Sequence, residues 1–89
     1  MSEIEQEIRE KLTASLDIVE IYLEDRSGGC GQSFFCIVVA KDFSGMKLLE
    51  RQQRVNEILA DVIARIHAFE LKTWDEKVWA DKRSQYIKE

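Results

Sequence analysis

The sequence predicts an α+β domain, a three-stranded sheet with helices packed on it, in the order helix, strand, strand, one or two helices, strand, helix. Three observations carry this. Apolar residues recur every fourth position at the start. They then switch to alternating or continuous runs in two segments parted by glycines. After a second helical stretch, alternation returns in IHAFELKTW, residues 66 to 74. The 89 residues suit one domain spanning 1–89, a length that buries roughly 60% of its unfolded surface.

The first helix follows from Ile4, Ile8, Leu12 and Leu16, with Glu3, Glu5, Glu7 and Glu10 between them. Ser2 is its expected N-cap, and the early glutamates suit the positive end of the helix dipole. DIVEIYLED then takes a period of two, with Val19, Ile21 and Leu23 expected on one side of a half-buried strand. RSGGCGQ holds three glycines in four positions and ends that strand in a loop. SFFCIVVAK is apolar on both faces and is expected mid-sheet.

Asp42 to Gly45 reads as a turn into helical spacing from Met46 to about Arg65, carried by Leu48, Leu49, Val55, Ile58, Leu59, Val62, Ile63 and Ile66. The pattern lapses across ERQQR, which places a break near Gln52 to Asn56. In the last strand His67, Phe69 and Leu71 share a face. Thr73 or Asp75 can cap the last helix, Thr73 with Glu76 having capping-box spacing. Trp79, Arg83 and Tyr86 form a stripe expected to dock on the core.

Apolar residues at 45% and charged residues at 34% are the proportions of a globular chain, and the absence of proline favours long elements. The acidic opening MSEIEQEIREK differs from a secretion signal or organelle presequence, which predicts a cytosolic or nuclear location and reduced cysteines. No apolar run approaches the eighteen or so residues of a membrane span. The net charge of −4 disfavours non-specific attraction to a phosphate backbone.

Few residues carry chemistry. Cys36 lies in the apolar strand, where cysteine acts as a small hydrophobe, whereas Cys30 sits in the glycine loop and is expected to be exposed. His67 is the single histidine. Cys30 and His67 supply a thiolate and an imidazole, both ligands for iron or zinc, but a closed site needs about four donors. From the residues alone, a metal site shared between two proteins stays open but is not favoured over an ordinary loop thiol and a structural histidine. With one histidine, no GxSxG and no phosphate-binding fingerprint, the chain is read as a non-enzyme. Gly28 to Gly31 match the GxxG of KH domains, but there the loop joins two helices and here it is expected to join two strands.

Taken together, LLERQQRVNEIL, IHAFELKTW, Trp79 and the upstream CGQSFFCIVVAKDFSG resemble the BolA family, most closely its eukaryotic cytosolic branch of monothiol-glutaredoxin partners. The resemblance runs from the first helix to Trp79. It implies a fold related to the class II KH arrangement, with helix-strand-strand-helix-helix-strand-helix order. It also implies an adaptor that pairs with a CGFS monothiol glutaredoxin and shares a [2Fe-2S] cluster, in iron sensing or cluster delivery to an iron-responsive transcription factor or apoprotein acceptor. The glutaredoxin cysteine and a glutathione thiol would complete the ligand set. The family's histidine in HAFE falls on His67 and its loop cysteine on Cys30, while the helix position that usually carries a histidine is Gln52. The resemblance favours His67 as a ligand reached at the strand edge, its second ring nitrogen oriented by a backbone group. A KH-like nucleic-acid-binding transcriptional regulator is the alternative, opposed by the acidic balance and the loop placement.

Overall fold

The computed structural model describes residues 3–27 and 32–87. Its elements are α1 (Glu3–Ser15), β1 (Ile18–Asp25), β2 (Ser33–Ala40), α2 (Leu48–Ile58), α3 (Ala60–Ile63), β3 (Ala68–Trp74) and α4 (Glu76–Lys82). Short 3-10 turns occupy Lys41–Phe43 and Arg83–Gln85. The order matches the expected one. The sheet runs β1-β2-β3, with β1 antiparallel and β3 parallel to the central strand.

The buried run Phe34 to Ala40 explains why β2 is central: its alternate residues feed two cores. Phe34, Cys36, Val38 and Ala40 pack with Ile4, Ile8 and Leu12 of α1, Val55 of α2 and Val62 of α3. Phe35, Ile37 and Val39 face the other way, toward Trp79, Tyr22, Trp74 and Tyr86. The stripe of Trp79 and Tyr86 therefore docks as expected, on the smaller, aromatic core. At the end of β2 the chain turns through Ser44 (φ −61°, ψ 124°) and Gly45 (φ +81°), closed by Met46 N–H on Phe43 O at 3.1 Å. This is the conformation for which a glycine at the third position is suited.

Four local expectations are corrected. In β1 the register slips between Ile18 and Glu20, a bulge that lets Ile18, Ile21 and Leu23 face the larger core while Val19 is exposed. The helix break falls at Leu59 (φ −101°, ψ 12°), not at Gln52 to Asn56. Arg51 and Gln52 interrupt the apolar pattern because they hydrogen-bond inward: Arg51 Nε donates to Thr73 Oγ1 at 3.2 Å and Nη1 to Met46 O at 2.7 Å, and Gln52 Nε2 reaches Leu71 O at 3.5 Å. Leu48 and Leu49 lie exposed on the first turn of α2, outside the apolar stripe. Finally, Thr73 is a buried strand residue, and Asp75 caps α4 by accepting from Val78 N–H at 3.0 Å. The expected cap Ser2 and the loop thiol Cys30 lie outside the described residues.

Candidate functional site

His67 stands at the end of the sheet where β3 begins. The turn after α3 delivers it one residue before the strand, so Phe69, Leu71 and Thr73 carry the inward parity while His67 is exposed in front of them. Its backbone N–H donates to Gln32 O at 2.7 Å, and Ala68 N–H reaches the same oxygen at 3.3 Å. Among the described residues no group is hydrogen-bonded to the imidazole. The expected backbone partner for a ring nitrogen is thus replaced by a backbone clamp on the residue itself. The ring stays available to an incoming ligand.

Gln32 leads into β2 and follows directly on the glycine segment, so the same hydrogen bond ties His67 to the β1–β2 connection. That connection joins two strands, as expected, which separates it from a helix-joining GxxG. Its ends are fastened by Arg26 N–H on Ser33 O at 2.8 Å, Ser33 N–H on Ser27 Oγ at 3.0 Å and Ser27 N–H on Asp25 Oδ1 at 2.8 Å. On the opposite face, Arg26 bridges the outer strands, pairing with Glu24 at 2.9 Å and Glu70 at 3.4 Å while its guanidinium lies 4.4 Å from the Phe35 ring centre. The hydrogen bond from Arg26, followed by that from Tyr22, holds the Glu24 carboxyl below its usual range.

Cys36 is buried on the core side of β2, and burial pushes its thiol up to about 12, with Arg9 acting weakly the other way. A thiol so held is protonated and inert at neutral pH. Gln52 is anchored to Leu71, four strand positions beyond His67, or about 13 Å along β3 at the usual rise. It serves the packing of α2 on β3 and stands apart from the imidazole. Among the described residues no cluster of three or more His, Cys, Asp or Glu side chains is arranged to hold a metal. A depression of about 310 Å³ lined by Lys41, Ser44, Asp75, Glu76 and Lys77 lies between the end of β2 and the start of α4 and contains no imidazole or thiol. Several arginines are engaged with the protein's own acceptors: Arg51 is held inside, Arg26 pairs with Glu24 and Glu70, and Arg65 pairs with Glu7. No helix among the described residues is long and apolar enough to cross a membrane.

The fold and this edge define a small α+β domain that offers one exposed imidazole beside the connection between its first two strands. The comparisons with known proteins give that class a family. The family model for BolA-like proteins matches residues 9–77. BolA-like protein 2 of Mus musculus is 39% identical over 79 residues, covering 88% of this chain and 92% of the relative. Among solved structures, a bol-like protein from Babesia bovis aligns with a TM-score of 0.77 at 35% identity, over 88% of this chain and 91% of that one. The solution structure of BolA1 from Mus musculus gives 0.81 at 28% identity, over 93% and 73%. The chain belongs to the BolA family.

Proposed function

We propose that this chain is a non-catalytic iron-sulfur adaptor that forms a heterodimer with a monothiol glutaredoxin and shares a [2Fe-2S] cluster with it. The observation that carries the reading is the exposed His67, fastened through its own backbone to Gln32. Cys30 precedes Gln32 by two positions, and two residues of chain cannot separate their Cα atoms by more than about 7 Å. The sequence thus tethers a thiol to the residue whose carbonyl oxygen fastens the His67 backbone. The donor set fits the group: imidazole and thiolate are both iron ligands, and a shared site needs only part of its ligands from this chain. His67 and Cys30 are the proposed ligands, and the glutaredoxin cysteine and a glutathione thiol supply the others. Cys36, buried and protonated, is left out of the set.

This chain's contribution is binding and orientation. The imidazole is exposed just before the strand, so a partner surface can approach it directly. Action in the cytosol and nucleus, with delivery to an apoprotein or an iron-responsive transcription factor, is part of the same proposal. The net charge of −4 and the engaged arginines weigh against a nucleic-acid regulator.

The test is co-expression with a monothiol glutaredoxin, purification and visible absorption and circular dichroism. A coloured one-to-one heterodimer is expected. His67→Ala should make the cluster labile. Cys30→Ala should perturb its spectrum while a cluster remains bound, because a thiol flanked by glycines carries a larger ordering cost than an imidazole whose backbone is already fastened to Gln32. Colourless complexes, or a His67→Ala complex identical to the parent, would refute the proposal.

A further inference from the structure

Both polar groups of one peptide unit are occupied beside His67. The amide between Gln32 and Ser33 points its N–H at Ser27 Oγ, 3.0 Å away, and its carbonyl oxygen accepts from His67 N–H at 2.7 Å. A peptide unit is planar, so its N–H and C=O turn together. Whatever grips the N–H therefore also aims the oxygen that holds His67. Ser27 is itself secured. Its amide donates to Asp25 Oδ1 at 2.8 Å, and the neighbouring Arg26 N–H closes the turn on Ser33 O at 2.8 Å. The Ser27 hydroxyl, and after it the Ser27 amide, hold the Asp25 carboxyl below its usual range. Ser27 thus links a carboxylate at the end of β1, through its amide, to the 32–33 peptide, through its hydroxyl.

We infer that Ser27 is a positioning residue for His67: its hydroxyl orients the 32–33 peptide, and that peptide sets where the His67 backbone, and with it the imidazole, stands at the sheet edge. Ser27, Gln32 and His67 are all exposed, so hydrogen bonds and not apolar packing define this geometry. The core does not depend on them. The consequence for cluster binding rests on the ligand reading of His67, but the first link belongs to the metal-free protein and is measured there.

The experiment compares Ser27→Ala and Ser27→Thr with the parent chain. In the metal-free protein, amide exchange at His67 should rise about fivefold in Ser27→Ala, the scale of one lost neutral hydrogen bond, with Ile37 and Val38 unchanged. In the reconstituted glutaredoxin complex, the visible circular dichroism should change. Ser27→Thr, which keeps the hydroxyl, should restore both. Unchanged exchange at His67 in Ser27→Ala, or no rescue by threonine, overturns the inference. His67→Ala is run alongside. If it leaves the cluster spectrum unaltered, the ligand reading fails whatever Ser27 does. If it alters the spectrum and Ser27→Ala does not, the inference about Ser27 fails.

Discussion

The two ends of β3 are held in place by different forces. At the far end Thr73 is buried with its hydroxyl on Arg51, and Trp74 stacks on Trp79 with ring centres 6.1 Å apart. At the near end His67 and Ala68 are exposed and share one carbonyl oxygen between two amides. Packing secures the first end and backbone hydrogen bonds the second. A side chain without packing partners can be changed without opening a cavity, so stability and ligand binding are expected to separate along this strand.

The largest expected effect is at the packed end. Trp79→Ala removes a buried ring that contacts the aromatic core of Phe35, Ile37 and Val39, and should destabilise the domain by about 3 kcal/mol or more in urea or thermal unfolding. If stability were intact but glutaredoxin binding lost, α4 would be an interface and the contrast between the two ends would collapse.

Cys36 sharpens the comparison from within the core. Its thiol stays protonated up to about 12 in the folded chain but ionises near 9.0 when unfolded. The raised value means that its contribution is fully present below about 9 and is lost as pH rises toward 12. By about pH 10.5 the loss should reach roughly 2 kcal/mol. Unfolding free energies measured between pH 8 and 10.5 should fall less steeply for Cys36→Ala than for the parent. Parallel slopes would show that the thiol is not insulated from solvent.

Somewhat smaller, about 1–2 kcal/mol, is the expected cost of Arg51→Ala, which leaves the buried Thr73 hydroxyl without its donor. Replacing both partners, as Arg51→Met with Thr73→Val, should recover part of that loss, because the Thr73 hydroxyl is then no longer stranded, while the Met46 carbonyl still lacks the Arg51 donor. A double-mutant cycle showing simple additivity would sever the proposed tie between α2 and β3.

The same pair shows what sequence patterns reveal and where they stop. Element order was legible because each element announces itself by the spacing of its own apolar residues: Ile4, Ile8 and Leu12 for α1, and the unbroken run from Phe34 to Ala40 for β2. The break in the long helical stretch was misplaced because Arg51 and Gln52 face the sheet through hydrogen bonds, and hydropathy marks such residues as outward. The bulge at Val19 depends on register, which spacing does not encode, and the spacing that offered Thr73 or Asp75 as the cap left open which acceptor meets Val78 N–H, a choice the structure makes for Asp75. At the candidate site, the sequence singled out His67 by its chemistry. It missed Ser27 and Gln32, because which amide meets the Ser27 hydroxyl and which meets Gln32 O is set by the folded backbone and not by residue spacing.

The smallest stability effect should come from the residue with the largest proposed role. His67→Ala removes an exposed ring that makes no hydrogen bond among the described residues, while the backbone N–H bonded to Gln32 O is retained. Surface substitutions of this kind fall within about 0.5 kcal/mol. The variant should therefore melt with the parent chain and keep its circular dichroism, and chelator treatment should alter neither protein, because the two cores are assembled from apolar contacts. Association with the glutaredoxin should persist in part, since protein contacts outlast the loss of one metal bond. Cluster retention should not. A melting temperature lowered by many degrees would mean that His67 is structural after all, and the distinction between a packed end and a binding end of β3 would then have to be given up.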